Sequence, residues 1–325
     1  MQTPAKTKSL IVTGGCGFIG SHFIRHMLAH TKVEKIVNLD LLTYAANAQN
    51  LADVRHDPRY TFVHGDICDF DLAIHLMTGA DAIVNFAAES HVDRSIHDCA
   101  EFVRTNITGV QNLLDAARKT SLKRFVQIST DEVYGSLGPQ GSFTEQTPLA
   151  PNSPYSASKA SADLLIRAYC QTYGLPAIIT RGANNYGPCQ HPEKLIPLFI
   201  NNLLAGRKAT LYGDGLNVRD WIFVQDHCSA IANVLEKGRP GQIYNIGANC
   251  ELTNLQIAQR LITLLGNDPS HIEFVDDRPG HDRRYAIDSS KITTELGWRP
   301  QYTFDTAFRQ TVDWYRQHRD WLDPS

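Results

Sequence analysis

The chain has 325 residues, 42% of them hydrophobic and 20% charged, and carries a net charge of −3. This is ordinary globular composition for a chain long enough to need one large domain with a smaller appendage, or two domains, and the charge gives no reason to expect a nucleic-acid partner. No stretch approaches the roughly 18 uninterrupted apolar residues that would span a bilayer, so no membrane partner is expected.

The chain opens on a short polar lead, residues 1–8, which runs into Ser9-Leu10-Ile11-Val12. That apolar run is too short for a signal sequence and reads instead as a strand over 9–13. A glycine turn follows, then a helix over 18–30. Further strands are expected over 35–40, 60–65, 82–87, 124–129 and 177–181, with a second helical stretch over 100–119. Each strand is a near-continuous apolar run, as in a parallel sheet buried on both faces. Repeated β-α units of this kind imply an α/β fold: a Rossmann-type doubly wound parallel sheet. After Arg181 the chain becomes turn-rich at Asn184-Asn185-Tyr186-Gly187-Pro188. Rossmann character returns at 221–224, at a helix capped by Asp226, and at a strand over 242–246. The expected organisation is therefore interleaved. Residues 1–180 and 221–248 form the dinucleotide-binding domain, and 181–220 with 249–325 form a smaller mixed α/β substrate-binding domain. The seven cysteines are scattered and include no C-x-x-C pair, which argues against a disulfide framework. The chain reads as cytoplasmic.

The turn after the first strand holds Gly14, Gly15, Gly17 and Gly20, in both G-x-G-x-x-G and G-x-x-G-x-x-G frames. Glycines let backbone N–H groups approach a pyrophosphate, and the next helix presents its N-terminus to the anion. Asp40 ends the second strand, where a carboxylate accepts from ribose hydroxyls and repels a 2′-phosphate, so NAD is expected over NADP. Asp66, closing the third strand, is placed to meet the adenine amino group.

Ser153-Pro154 reads as a helix start, with Ser153 as N-cap and Pro154 as the first helical residue. Tyr155 and Lys159 then share one helix face. A neighbouring ammonium should lower the phenol's pKa and fit it to take a proton from a sugar hydroxyl as hydride leaves the carbon. With the glycine turn upstream, Tyr-x-x-x-Lys makes the chain resemble the extended short-chain dehydrogenase/reductases, which act mainly on nucleotide sugars. The resemblance runs from about Ser9 to about Trp314.

Thr130, Asp131 and Glu132 end the fifth strand, and strand carboxyl ends face the ligand crevice of such a sheet. A 4-epimerase needs only the Tyr and a returning hydride. A 4,6-dehydratase also needs a base for the C5 proton and an acid for the departing C6 hydroxyl, which two carboxyls of different pKa supply. The segment Ser129-Thr130-Asp131-Glu132-Val133-Tyr134-Gly135 is similar to the signature of the dTDP-glucose 4,6-dehydratase subfamily. That resemblance implies Asp131 as acid, Glu132 as base, Thr130 orienting the C4 hydroxyl, and NAD recycled at each turnover.

The same resemblance implies a cofactor set of Gly14, Gly17, Phe18, Ile19, Gly20, Asp40, Leu41, Leu42, Thr43, Asp66, Ile67, Phe86, Ala87, Ala88, Ser90, Thr105, Tyr155, Lys159 and Asn185. It implies that the nucleotide-diphosphate sugar meets Ser90, Thr130, Asn184, Lys194, Leu195, Thr210, Tyr212, Arg219, Asn254, Asp277, Arg278 and His281, with Arg219 and Arg278 as diphosphate ligands. It further implies a homodimer paired through helices over 100–119 and 155–173, and a role in making a deoxysugar such as rhamnose. Two positions depart from the pattern: Ala46 where glycine is usual and Cys16 where alanine is common. Three alternatives stay open: a UDP-glucose 4,6-dehydratase, a nucleotide-sugar 4-epimerase and a non-catalytic NAD-binding sensor. His22 and His26 have metal-compatible spacing but no third ligand, and no metal is expected.

Overall fold

The computed structural model describes residues 7–322. Residues 1–6 of the expected polar lead and 323–325 of the second expected domain lie outside them. In chain order the first half forms β1 (Ser9–Thr13), α1 (Phe18–His30), β2 (Lys35–Asp40), β3 (Tyr60–His64), α2 (Phe70–Met77), β4 (Ala82–Asn85), α3 (Val92–His97), α4 (Ala100–Val103), α5 (Val110–Lys119), β5 (Arg124–Thr130), α6 (Pro154–Tyr173) and β6 (Ala177–Gly182). The second half adds β7 (Asn184–Tyr186), α7 (Leu195–Leu204), β8 (Ala209–Tyr212), β9 (Val218–Phe223), α8 (Val224–Lys237), β10 (Ile243–Ile246), β11 (Glu251–Thr253), α9 (Asn254–Leu265), β12 (Ile272–Val275), α10 (Ser290–Leu296) and α11 (Phe304–Gln317).

Seven strands make one sheet in the order β10-β6-β5-β4-β1-β2-β3, and every pairing in it is parallel. The winding reverses between β1 and β4, so a crevice opens at their carboxyl ends. Alternation along β1 splits the core in two. Leu10 and Val12 join α1 and α8 on one face, whereas Ile11 joins α2, α5 and α6 on the other. A smaller region holds a three-stranded sheet, β11-β9-β7, and a two-stranded one, β12-β8.

Four local expectations are corrected. β3 is the edge strand and is not buried on both faces; its Phe62 is 40% exposed. The second helical stretch is interrupted, with a π turn over Arg104–Gly109 between α4 and α5. The segment expected to reopen the Rossmann unit at 221 is part of β9, which pairs with β7 and β11 in the small sheet; Rossmann architecture resumes only with α8 and β10. Asp226 is not a cap. It lies inside α8, and its carboxylate instead accepts from the backbone N–H groups of Gln301 (2.9 Å) and Tyr302 (3.1 Å), pinning the segment before α11.

Candidate active site

At the end of β1 the glycine turn is packed too tightly for any side chain at two positions. Gly14 has φ +66°, and a Cβ there would lie 2.6 Å from the Ala87 nitrogen. A Cβ on Gly20 would lie 2.3 Å from the Gly14 carbonyl oxygen. Gly17 caps α1 without a side chain, and the first turn carries no acidic residue. Its N–H groups therefore face the cleft unopposed, and the turn fits a dinucleotide pyrophosphate. Asp40 is braced beneath, accepting from the N–H groups of Cys16 (2.8 Å) and Leu42 (2.8 Å) while lining the cleft. Asp66 is held by the Cys68 N–H (2.8 Å) and paired with Arg104. The π turn delivers Thr105 to the same cleft, a placement typical of π-bulges at functional sites.

The chemical groups gather at the ends of β5 and β6. Ser153 and Ser156 form a reciprocal cap at the start of α6, with Pro154 in its first turn as expected. This orients Tyr155 and Lys159 into the cleft, which Thr130, Asp131 and Glu132 also line. Lys159 is buried, its Nζ donates to the Ile128 carbonyl (2.7 Å), and burial pushes its pKa down to about 8. The expected lowering of the Tyr155 pKa is absent. Burial, then the charges of Glu132 and Asp131, push the phenol up, while the Thr130 hydroxyl opposes them. Lys159 is committed to a backbone carbonyl and does not offset this.

The two carboxyls differ as acid–base partners should. Asp131 is buried, and its Oδ2 has no hydrogen-bond partner. Burial and then Glu132 and Asp220 raise its pKa well above the usual carboxyl range. Burial raises Glu132 too, but Arg219, Arg278 and Lys194 all pull it back down. Asp131 is thus held as the acid and Glu132 is the one closer to ionised.

A second cavity continues from this point. Ser90, Glu132, Asn184 and Lys194 line both and form the neck between them. Beyond it lie Leu195, Thr210, Tyr212, Arg219, Asn254, Arg278 and His281. Lys194 donates to the Ser90 carbonyl (2.9 Å), and Arg278 pairs with Asp93 (2.6 Å). Asn184 Oδ1, Asn254 Oδ1, Arg278 Nε and Trp221 Nε1 are buried without partners, leaving polar capacity that a polar ligand would use. Among the described residues no group of three or more His, Cys, Asp or Glu side chains could hold a metal ion.

Of the residues expected from sequence, only Leu42 and Asp277 line neither cavity. Leu42 takes a positive φ of 54° and turns outward; Asp277 reaches the site indirectly, through His281 Nδ1 (2.6 Å) and the Arg278 N–H (2.8 Å). Sequence reasoning missed Glu89, Gln190, His191 and His227 in the first cavity, and Trp221 and Glu193 in the second. Neither His227 nor Trp221 carried a local signal: Trp221 reaches the site through the pairing of β9 with β7, and His227 through the packing of α8 against Gly182 and Asn185.

Comparison with known proteins gives a consistent result. The family model described as GDP-mannose 4,6 dehydratase matches residues 11–311. The dTDP-glucose 4,6-dehydratase of Streptomyces niveus is 51% identical over 319 residues, 97% of this chain and 95% of that protein. The crystal structure of DesIV, a dTDP-glucose 4,6-dehydratase from Streptomyces venezuelae with NAD bound, aligns with a TM-score of 0.95 at 55% identity, covering 97% of this chain and 99% of that one. A dTDP-glucose 4,6-dehydratase from Bacillus anthracis str. Ames, in complex with NAD, aligns at 0.91 and 51% identity, covering 98% and 99%.

Proposed function

We infer the reaction from one premise: the chain belongs to the dTDP-glucose 4,6-dehydratases of the extended short-chain dehydrogenase/reductase family. It is an NAD-dependent lyase converting dTDP-glucose to dTDP-4-keto-6-deoxyglucose. NAD, when bound, supplies the acceptor for the C4 hydride and returns that hydride to C6. The chain's own residues divide the proton work. Tyr155 takes the C4 hydroxyl proton, with Thr130 orienting that hydroxyl, and Lys159 holds the nicotinamide ribose. A neutral Asp131 removes one of the two charges that disfavour its phenolate. Glu132 removes the C5 proton, which the C4 ketone has made acidic, and gives a proton back to C5 as hydride arrives at C6. Asp131 protonates the C6 hydroxyl as it leaves. Arg219 and Arg278 hold the diphosphate, and Asn184, Lys194, Leu195 and Asn254 the rest of the nucleotide sugar.

One observation carries this reading. Two carboxyls of unequal acidity, Asp131 buried and Glu132 half-buried, share a cleft with Tyr155 and Lys159. A 4-epimerase, which eliminates nothing, has no use for them, and a non-catalytic sensor has no use for any of the four. dTDP-glucose deuterated at C4 tests it. The dehydratase delivers deuterium to C6 of a 4-keto-6-deoxy sugar, whereas an epimerase returns it to C4. UDP-glucose as competitor tests preference for the base.

We also propose that the fold divides its labour as the sequence indicated, NAD on the seven-stranded sheet and nucleotide sugar on the smaller region. A homodimer is supported by an apolar strip on the helices expected to pair: Val103 on α4 is 47% exposed and Leu164 on α6 is 55% exposed. The seven free cysteines support a reducing compartment such as the cytoplasm. The product's 4-keto-6-deoxy sugar is suited to deoxysugar synthesis, rhamnose included.

A further inference from the structure

His227 lies in the first turns of α8, buried at 1% exposure, yet it lines the cofactor cleft. Its position is fixed by two neighbours. The first is Gly182, at the end of β6. A Cβ there would fall 2.7 Å from His227 Cε1 and 2.8 Å from Nε2, so the imidazole fills the space that a side chain would take. Gly182 is the register partner of Thr130, which puts Nε2 at the reactive end of the sheet.

The second neighbour is Asn185. Its Nδ2 donates to the Ala183 carbonyl (3.0 Å), so its Oδ1 is the atom facing His227 Nδ1 at 2.9 Å. That oxygen can only accept, so Nδ1 carries the proton. Burial pushes the His227 pKa down to about 4, which leaves the ring neutral. Nε2 is then a bare lone pair, and it is buried with no partner. An unmet buried acceptor of this kind calls for a donor from the ligand.

We propose that His227 is a cofactor-positioning residue whose Nε2 accepts a hydrogen bond from the nicotinamide carboxamide N–H, with Asn185 fixing the required tautomer. The inference rests on the NAD-binding reading above. It adds that the nicotinamide end is selected for an amide. Nicotinic acid adenine dinucleotide, whose carboxylate has no N–H to give, turns the contact into repulsion between two acceptors.

The test compares three probes on the full-length protein by competition against its bound NAD: NAD, the nicotinic acid analogue and ADP-ribose. Wild type should prefer NAD over the acid analogue by at least about tenfold, the worth of one hydrogen bond. His227→Asn keeps a donor near the Nδ1 position and removes Nε2. It should lose that preference while holding ADP-ribose as wild type does. His227→Gln, which restores an acceptor near Nε2, should recover part of it. A preference unchanged in His227→Asn would overturn the proposal, as would an equal loss of ADP-ribose. The absence of any preference in wild type would overturn it without recourse to a variant. Failure of wild type to hold NAD at all would instead overturn the NAD-binding reading.

Discussion

Asp131→Asn isolates the acid from the base. The substitution keeps the side chain's shape and removes its transferable proton. General-acid steps contribute about 10²–10⁴-fold, or about 2.7–5.4 kcal/mol at 1.36 kcal/mol per decade. The loss should fall in the upper part of that range, about 10³–10⁴-fold, because Asp131 is buried and its Oδ2 meets no other proton donor of the protein. The assay runs the reaction in D2O and follows two signals by NMR: product formed, and deuterium entering C5 of the sugar. Asp131→Asn should keep C5 exchange, since Glu132 is intact, while product formation collapses. Glu132→Gln should abolish both. Product formation by Asp131→Asn within tenfold of wild type, or loss of its C5 exchange, would refute the assignment. Stability should move the other way. The folded state holds a proton on Asp131 at pH values where the unfolded chain, with a carboxyl pKa near ~3.9, has released it. Wild-type stability therefore falls as pH climbs from the unfolded value through the raised folded one. Asp131→Asn should gain Tm relative to wild type across the same window, as measured by calorimetry.

Lys159 becomes neutral as pH rises through about 8, so wild-type turnover should decline above that value, and Lys159→Met should show a low rate without that limb in a pH–rate profile. Gly20→Ala would set a methyl 2.3 Å from the Gly14 carbonyl oxygen. It should cost about 1–3 kcal/mol of stability and strip the purified protein of NAD, as read by the nucleotide released on denaturation. Leu164→Glu puts a charge on the apolar strip of α6 and should convert a dimer to monomer in light scattering while leaving bound NAD in place.

Much of the large sheet was legible because a strand buried on both faces carries an unbroken apolar run, as Leu10–Val12, Ile36–Val37, Ala82–Val84, Phe125–Val126 and Ala177–Ile179 do in β1, β2, β4, β5 and β6. The glycine turn and the Tyr155–Lys159 spacing were legible because backbone approach and helical periodicity fix residue type locally. What failed depended on distant partners. Phe62 looks like core in sequence but lies on an edge strand. Trp221 reads as Rossmann but pairs with Asn184 across the small sheet. Asp226 has the look of a cap, yet serves a segment some 75 residues on. The Tyr155 phenol was misjudged for the same reason. Spacing along the helix revealed its ammonium neighbour, but not the two carboxyls folded in from β5 or the burial that outweighs it.

The last strand of the large sheet comes late. β10 docks on β6 only after the chain has left to build β7, β8 and β9 and returned through α8. During synthesis on a ribosome, β6 therefore waits with an open flank of hydrogen-bonding groups for more than 60 residues, the condition under which nascent chains pair wrongly with one another. A protein truncated before Ile243 should accumulate as insoluble aggregate, even though it retains the glycine turn, Tyr155, Lys159 and both carboxyls.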